Sequence, residues 1–234
     1  MMNLKLRTTN EPEKAAEFVA SSILKQLKNG KLVLFFATGG SSIYVCAKIT
    51  KILKEYPDKN LMKNLTVTLT DERYGPTGHP DSNWQQLLDR GFDLPQAKLI
   101  PVLTGDNKEV TIKNFNKILN EELTIEAYKI GLFGIGKDGH TAGILPESVA
   151  VNSTDLVCGY DTPTFSRITI TPKTIEKLDE IIVWAQGKDK WPVIESLATP
   201  TLKEVGAPTK SVGEQPAQIL KKVPLLTIFT NKNV

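Results

Sequence analysis

Residues 32–42 read LVLFFATGGSS, and this stretch decides the fold. The first six residues form an unbroken apolar run with no polar alternation. Such a run suits a strand covered on both faces, as in a parallel sheet. The next five residues, Thr38-Gly39-Gly40-Ser41-Ser42, leave that strand and enter a region of helical spacing from Ser42 to Tyr56. A strand that ends in a small-residue turn and opens a helix is one half of a βαβ unit.

The same grammar holds on both sides. Before the run, Asn10 opens N-E-P-E, which predicts a capping residue, a proline in the first turn and Glu13 at the capping-box position. Ala15, Ala16, Val19, Ile23, Leu24 and Leu27 then recur at helical spacing up to the stop signal Asn29-Gly30. After it come LTVTLT (strand, from Leu65), SNWQQLLDRG (short helix, from Ser82), KLIPV (short strand), a helix near 108–123, and YKIGLFGIG (buried strand, from Tyr128). RITIT, PKTIEKL, EIIVWAQG, KDKWPVIESL, PAQILKK and VPLLTIF continue the alternation. The pattern predicts one α/β domain over 1–234 with a mainly parallel, twisted sheet and helices on both faces, Rossmann-like and doubly wound. The polar stretch 199–215 is the expected long, flexible loop.

Composition narrows the function. The chain has 234 residues, 24% of them charged, and a net charge of +3 with no long basic block, which gives nucleic-acid binding little support. Two isolated cysteines, Cys46 and Cys158, form neither a zinc pattern nor a disulfide framework. No signal-peptide core and no membrane-length apolar run is present, so a cytoplasmic protein is expected, without membrane partners.

In such sheets ligands bind beyond the carboxyl ends of the strands. Three polar segments follow strands here. Thr38-Gly39-Gly40-Ser41 can offer backbone N–H groups to an anion, or can be only a tight turn whose serine caps the next helix. It is neither a Walker A loop nor G-x-G-x-x-G. Asp71-Glu72-Arg73 follows LTVTLT, two acids and an arginine directly after a buried strand. Lys137-Asp138-Gly139-His140 follows YKIGLFGIG, where a histidine can act as a general base and an aspartate can orient it. His79, in HPDSN, has the look of turn chemistry. Arg167 and Lys190 stand at the start of one strand and after another, and with a glycine-rich anion loop they would suit a phosphate monoester.

These blocks, in order, resemble the 6-phosphogluconolactonase family, which belongs to a wider group with glucosamine-6-phosphate deaminase/isomerase: TGGSS, TDERYGPTGHPDSN, GIGKDGHTAGILP, RITITPKTI and GKDK. The resemblance implies hydrolysis of a small-molecule sugar-phosphate lactone, 6-phospho-D-glucono-1,5-lactone, in the oxidative pentose phosphate pathway, by a monomer or small homo-oligomer. It calls for no cofactor and no metal. It implies His140 as the base and Asp138 as the group that sets its geometry. Thr38, Gly39, Gly40 and Ser41 would form the substrate loop. Arg167 and Lys190 would hold the phosphate, and Asp71 and Arg73 would line the sugar end. Arg73 or the backbone N–H groups of 136–141 would face the developing oxyanion. Ser82 and Asn83 would fix their loop and cap the following helix. The deaminase branch typically carries a glutamate five residues after the histidine. Here that position is Leu145, and Glu147 lies beyond Pro146, which favours the lactonase. Ile43, Gly75 and the ending TIFTNKNV depart from the lactonase pattern without touching the chemistry.

Overall fold

The computed structural model describes residues 3–198 and 210–233. Most of the expected 199–215 loop therefore lies outside the described residues. Along the chain the elements are β1 (Asn3–Thr8), α1 (Pro12–Lys28), β2 (Leu32–Ala37), α2 (Ile43–Glu55), β3 (Leu65–Leu69), β4 (Asp71–Arg73), α3 (Asn83–Asp89), β5 (Lys98–Leu99), α4 (Lys108–Thr124), β6 (Ala127–Phe133), β7 (Val157–Asp161), β8 (Ser166–Ile170), α5 (Pro172–Ile175), β9 (Glu180–Ala185), α6 (Trp191–Ala198) and β10 (Leu225–Thr230). Short 3₁₀ turns occupy Gly40–Ser42, Lys59–Asn64, Lys188–Lys190 and Pro216–Lys222.

Among the described residues, seven strands form the main sheet in the order β1-β10-β9-β6-β2-β3-β5. Every adjacent pair is parallel. From β2 the chain winds one way, through β3 to β5. From β6 it winds the other way, through β9 to β10. Right-handed crossovers in opposite directions place the connecting helices on opposite faces. The doubly wound α/β reading therefore holds. The direction reverses between β2 and β6, and the crevice at such a reversal is where these sheets take ligands. The segments leaving β2 and β6 are Thr38–Ser42 and Gly134–His140.

The apolar runs behave as their composition requires. β9 is buried along its whole length and β2 is buried after Leu32. The six spaced apolar residues of α1 are all buried against the sheet side. The start of α1 differs from expectation. Its N-cap is Glu11, with Pro12 in the first turn and no side-chain cap. A residue before proline is driven into extended backbone, and Glu11 has φ −93° and ψ 107°. The cap thus falls one residue after Asn10, and Thr9 Oγ1 accepts the Glu11 N–H at 3.1 Å.

A second sheet was not visible in the alternation. β4, β8 and β7 pair antiparallel, in that order. RITIT is thus a strand as expected, but outside the parallel sheet. Asp71-Glu72-Arg73 is itself a strand rather than a loop. The two sheets are joined at Thr70, whose N–H bonds to the Ala37 carbonyl at 2.8 Å and whose carbonyl accepts from Ile170 at 3.0 Å. This joint carries β4 and β8 to the mouth of the crevice.

Candidate active site

A cleft of about 270 Å³ opens at the reversal between β2 and β6. Thr38, Gly39, Gly40, Ser41, Asp71, Arg73, His140, Arg167 and Lys190 all line it, together with Asn83, Ala142 and Gly143. Asp138 does not line it and stands behind His140.

The turn after β6 fixes His140. Gly136 N–H donates to the His140 carbonyl at 2.9 Å, and Gly139 N–H donates to the Gly136 carbonyl at 3.0 Å. Asp138 Oδ1 accepts the His140 backbone N–H at 3.2 Å and lies 2.7 Å from its Nδ1. Burial works against the Asp138 carboxylate, but the His140 N–H and the imidazole charge outweigh it and hold its pKa below the usual range. With Nδ1 donating to Asp138, Nε2 is the nitrogen left to accept a proton. Glycine is required at 136, because a Cβ there would stand 2.2 Å from the imidazole. The turn is backed by the C-terminal segment, where Ala217 N–H donates to the Gly139 carbonyl at 2.9 Å.

The N–H groups of Gly136, Gly139, His140 and Thr141 are all committed within their own turns. The Lys137 N–H is not among these bonds, so Arg73 and the turn backbone both remain oxyanion donors.

The loop after β2 is held by contact. Gly40 has φ +60° and opens the 3₁₀ turn into α2. A Cβ at Gly39 would meet Asn83 Oδ1 at 2.0 Å. Asn83 is buried, and its Nδ2 donates to the Asp71 carbonyl at 2.9 Å. It therefore packs the loop after β2 against β4 as well as standing at the start of α3. Ser82 does cap α3, accepting the Gln85 N–H at 3.1 Å.

Glu72 organises this corner and was given no role from sequence. Its fully buried carboxylate accepts from Asn83 N–H (2.6 Å), Arg73 N–H (2.7 Å), Ser82 Oγ (2.9 Å) and Trp84 N–H (3.0 Å). Burial raises its pKa against the pull of those donors. The signal available was the acid beside a short strand ten residues ahead of a serine cap. His79 is structural, as its turn context suggested: its Nε2 lies 2.9 Å from the Arg73 carbonyl, over Gly75.

The cations gather on the opposite wall. Arg73 and Arg167 are directly opposite each other in the β4–β8 pairing. Arg167 Nη1 lies 3.7 Å from Asp71 Oδ2, and Arg73 Nη1 donates to the Asp81 carbonyl at 2.9 Å. The Nε of each arginine is buried without a partner. Burial lowers the Lys190 pKa, opposed by nearby Asp189. Facing the cations, Ala142 has φ +50° and Gly143 φ +73°, and Thr141 and Ile144 exchange backbone bonds across them. This is a two-residue turn of the I′ kind, in which alanine is a strained choice. Leu145 N–H donates to the Tyr160 hydroxyl at 3.2 Å, and exposed Glu147 does not line the cleft.

Comparison with known proteins gives a consistent result. A family profile described as glucosamine-6-phosphate isomerases/6-phosphogluconolactonase matches residues 9–222. A 6-phosphogluconolactonase of Chlamydia pneumoniae is 25% identical over 132 residues, which is 54% of this chain and half the length of that relative. The solved structure of 6-phosphogluconolactonase from Trypanosoma brucei superposes with a TM-score of 0.77 at 19% identity, covering 98% of this chain and 97% of that one. A monomeric glucosamine-6-phosphate deaminase superposes with a TM-score of 0.74 at 20% identity, covering 97% and 96%. The fold is thus common to both chemistries, and the choice between them rests on the site.

Proposed function

The chain belongs to the glucosamine-6-phosphate isomerase/6-phosphogluconolactonase family, and on that premise we propose that it hydrolyses 6-phospho-D-glucono-1,5-lactone to 6-phospho-D-gluconate. The observation that carries this reading is the His140–Asp138 pair at 2.7 Å, set in a cleft whose other wall holds Arg73, Arg167 and Lys190. A δ-lactone is already electrophilic, so one well-placed base suffices. His140 Nε2 takes a proton from water as the oxygen attacks C1. A backbone N–H of the 136–141 turn meets the charge that grows on the carbonyl oxygen. His140 then returns the proton to the departing ring oxygen. Arg167 and Lys190 hold the phosphate and supply position rather than bond-breaking, while Asp71 and the loop 38–41 border the sugar. The absence of a carboxylate at position 145 speaks against the alternative, a deaminase/isomerase. The reading takes 1–234 as one domain working in the cytoplasm, as a monomer or small homo-oligomer. Among the described residues, no helix is long and apolar enough to cross a membrane.

The test is a lactone assay with spontaneous hydrolysis subtracted, run beside ammonia release from glucosamine 6-phosphate. Lactone turnover without ammonia is expected, and ammonia release would select the deaminase. His140→Ala should lower kcat by about 10²–10⁴-fold. Undiminished turnover in the folded variant would remove His140 as the base.

A further inference from the structure

We propose that Phe165, which does not line the cleft, is the positioning residue that holds Arg73 and Arg167 as a paired seat for the substrate's phosphate dianion. The inference rests on the phosphate reading above.

The β4–β8 register sets the two arginines directly opposite each other. Like charges so placed repel. Their nearest compensation is slight: Arg167 reaches Asp71 only at 3.7 Å, beyond the length of a charge-assisted hydrogen bond. Left to themselves, two long side chains would swing apart into solvent or fold onto Asp71. Arg167 leans toward Asp71 and Arg73 donates to the Asp81 carbonyl at 2.9 Å, yet both guanidinium groups stay over one aromatic ring. The Arg73 guanidinium carbon lies 5.0 Å and the Arg167 guanidinium carbon 5.5 Å from the centroid of the Phe165 ring. Both distances fall within the range of attraction between a cation and a ring face.

The backbone that carries the ring is itself anchored. Phe165 ends the hairpin turn between β7 and β8. Thr162 N–H and Oγ1 donate to the Phe165 carbonyl at 2.9 and 2.8 Å, and Phe165 N–H donates to Thr162 Oγ1 at 3.0 Å. One clamped aromatic residue therefore orients two cations at once, before any anion arrives. Ordering flexible side chains in advance removes that cost from binding. Asp71 and Asp189 stand against Arg73, Arg167 and Lys190, so the wall keeps a net positive charge that favours an anion.

The experiment measures inorganic phosphate affinity by calorimetry, and KM and kcat for the lactone, in the parent, Phe165→Leu, Phe165→Tyr and Arg167→Ala. Phe165→Leu keeps an apolar side chain of similar bulk but has no ring face. It should raise both KM and the phosphate Kd by about tenfold while kcat stays within about twofold. Phe165→Tyr should behave as the parent. Parental affinity in Phe165→Leu, with Arg167→Ala weakened, overturns the role of Phe165 and leaves the phosphate reading standing. Equal weakening in a folded Phe165→Tyr also overturns it, because bulk or hairpin shape would then be the cause. Parental affinity in Arg167→Ala overturns the phosphate reading and the inference with it.

Discussion

Gly136 shows how tightly His140 is placed. A methyl group there would stand 2.2 Å from both Nδ1 and Cε1 of the imidazole and 2.5 Å from Asp138 Oδ1. Gly136→Ala must move the ring or break its bond to Asp138. A displacement of about 1 Å can cost about 10²-fold in rate. Gly136→Ala should therefore lower kcat to that extent and leave phosphate affinity unchanged, since Arg167 and Lys190 sit on other elements; steady-state kinetics and phosphate calorimetry check both halves. Lys190 gives a pH prediction. Its pKa is lowered by burial, so in the free protein its charge is complete at low pH and is lost at a pH below the ordinary 10.5. Affinity for 6-phosphogluconate should fall as pH rises through that lowered value, and Lys190→Arg should keep its affinity over the same range. Titration calorimetry at several pH values decides it. At this scale the sequence was informative wherever a polar residue followed a buried strand, which is how His140, Asp71 and Arg73 came forward. It was silent on Glu72 and Phe165, whose roles depend on which elements face them.

Glu72 belongs to the scale of elements, because it ties β4 to the start of α3. Four donors converge on its carboxylate: the N–H groups of Arg73, Asn83 and Trp84, and Ser82 Oγ. Glu72→Gln would turn an amide NH₂ toward donors and leave at least one of them unsatisfied. Destabilisation of about 1–3 kcal/mol at neutral pH is expected, read from urea unfolding. The pH dependence has a definite sign. Burial raises the folded pKa of Glu72 from 4.5, so in the window above 4.5 the folded protein binds this proton more tightly than the unfolded chain does. Its contribution to stability is fully present below that window and declines as pH rises through the folded value. Asp138, held below its usual value, has the opposite sign and loses its contribution on acidification. Glu72→Gln should abolish only the first of these trends. The elements that carried their own periodicity were legible: α1, α2, α4 and the long buried strands. β4 has three residues and β7 has five. Such short strands show too few turns of their pattern to be read without a partner, so the antiparallel sheet stayed hidden while its residues were already under suspicion.

At the scale of the molecule, the cleft is bounded by both sheets. The parallel sheet contributes the loop after β2, the turn after β6 and Lys190 after β9. The antiparallel sheet contributes Asp71, Arg73 and Arg167. A sugar phosphate that spans the cleft must therefore bind only when the two sheets keep their relative placement, which Thr70 fixes through its bonds to Ala37 and Ile170. Thermodynamic linkage turns this into a measurement. A ligand that binds only the folded form at 100 times its Kd adds about 2.7 kcal/mol, and for a chain of this size that corresponds to roughly 5–10 °C in Tm. With 6-phosphogluconate present, the whole unfolding transition should move by that amount as one cooperative event, with calorimetric and van't Hoff enthalpies equal. Arg167→Ala should lose most of the shift. A ligand that moved only part of the heat-absorption profile would mean that the two sheets unfold separately, and the single-domain reading of 1–234 would fail on that result.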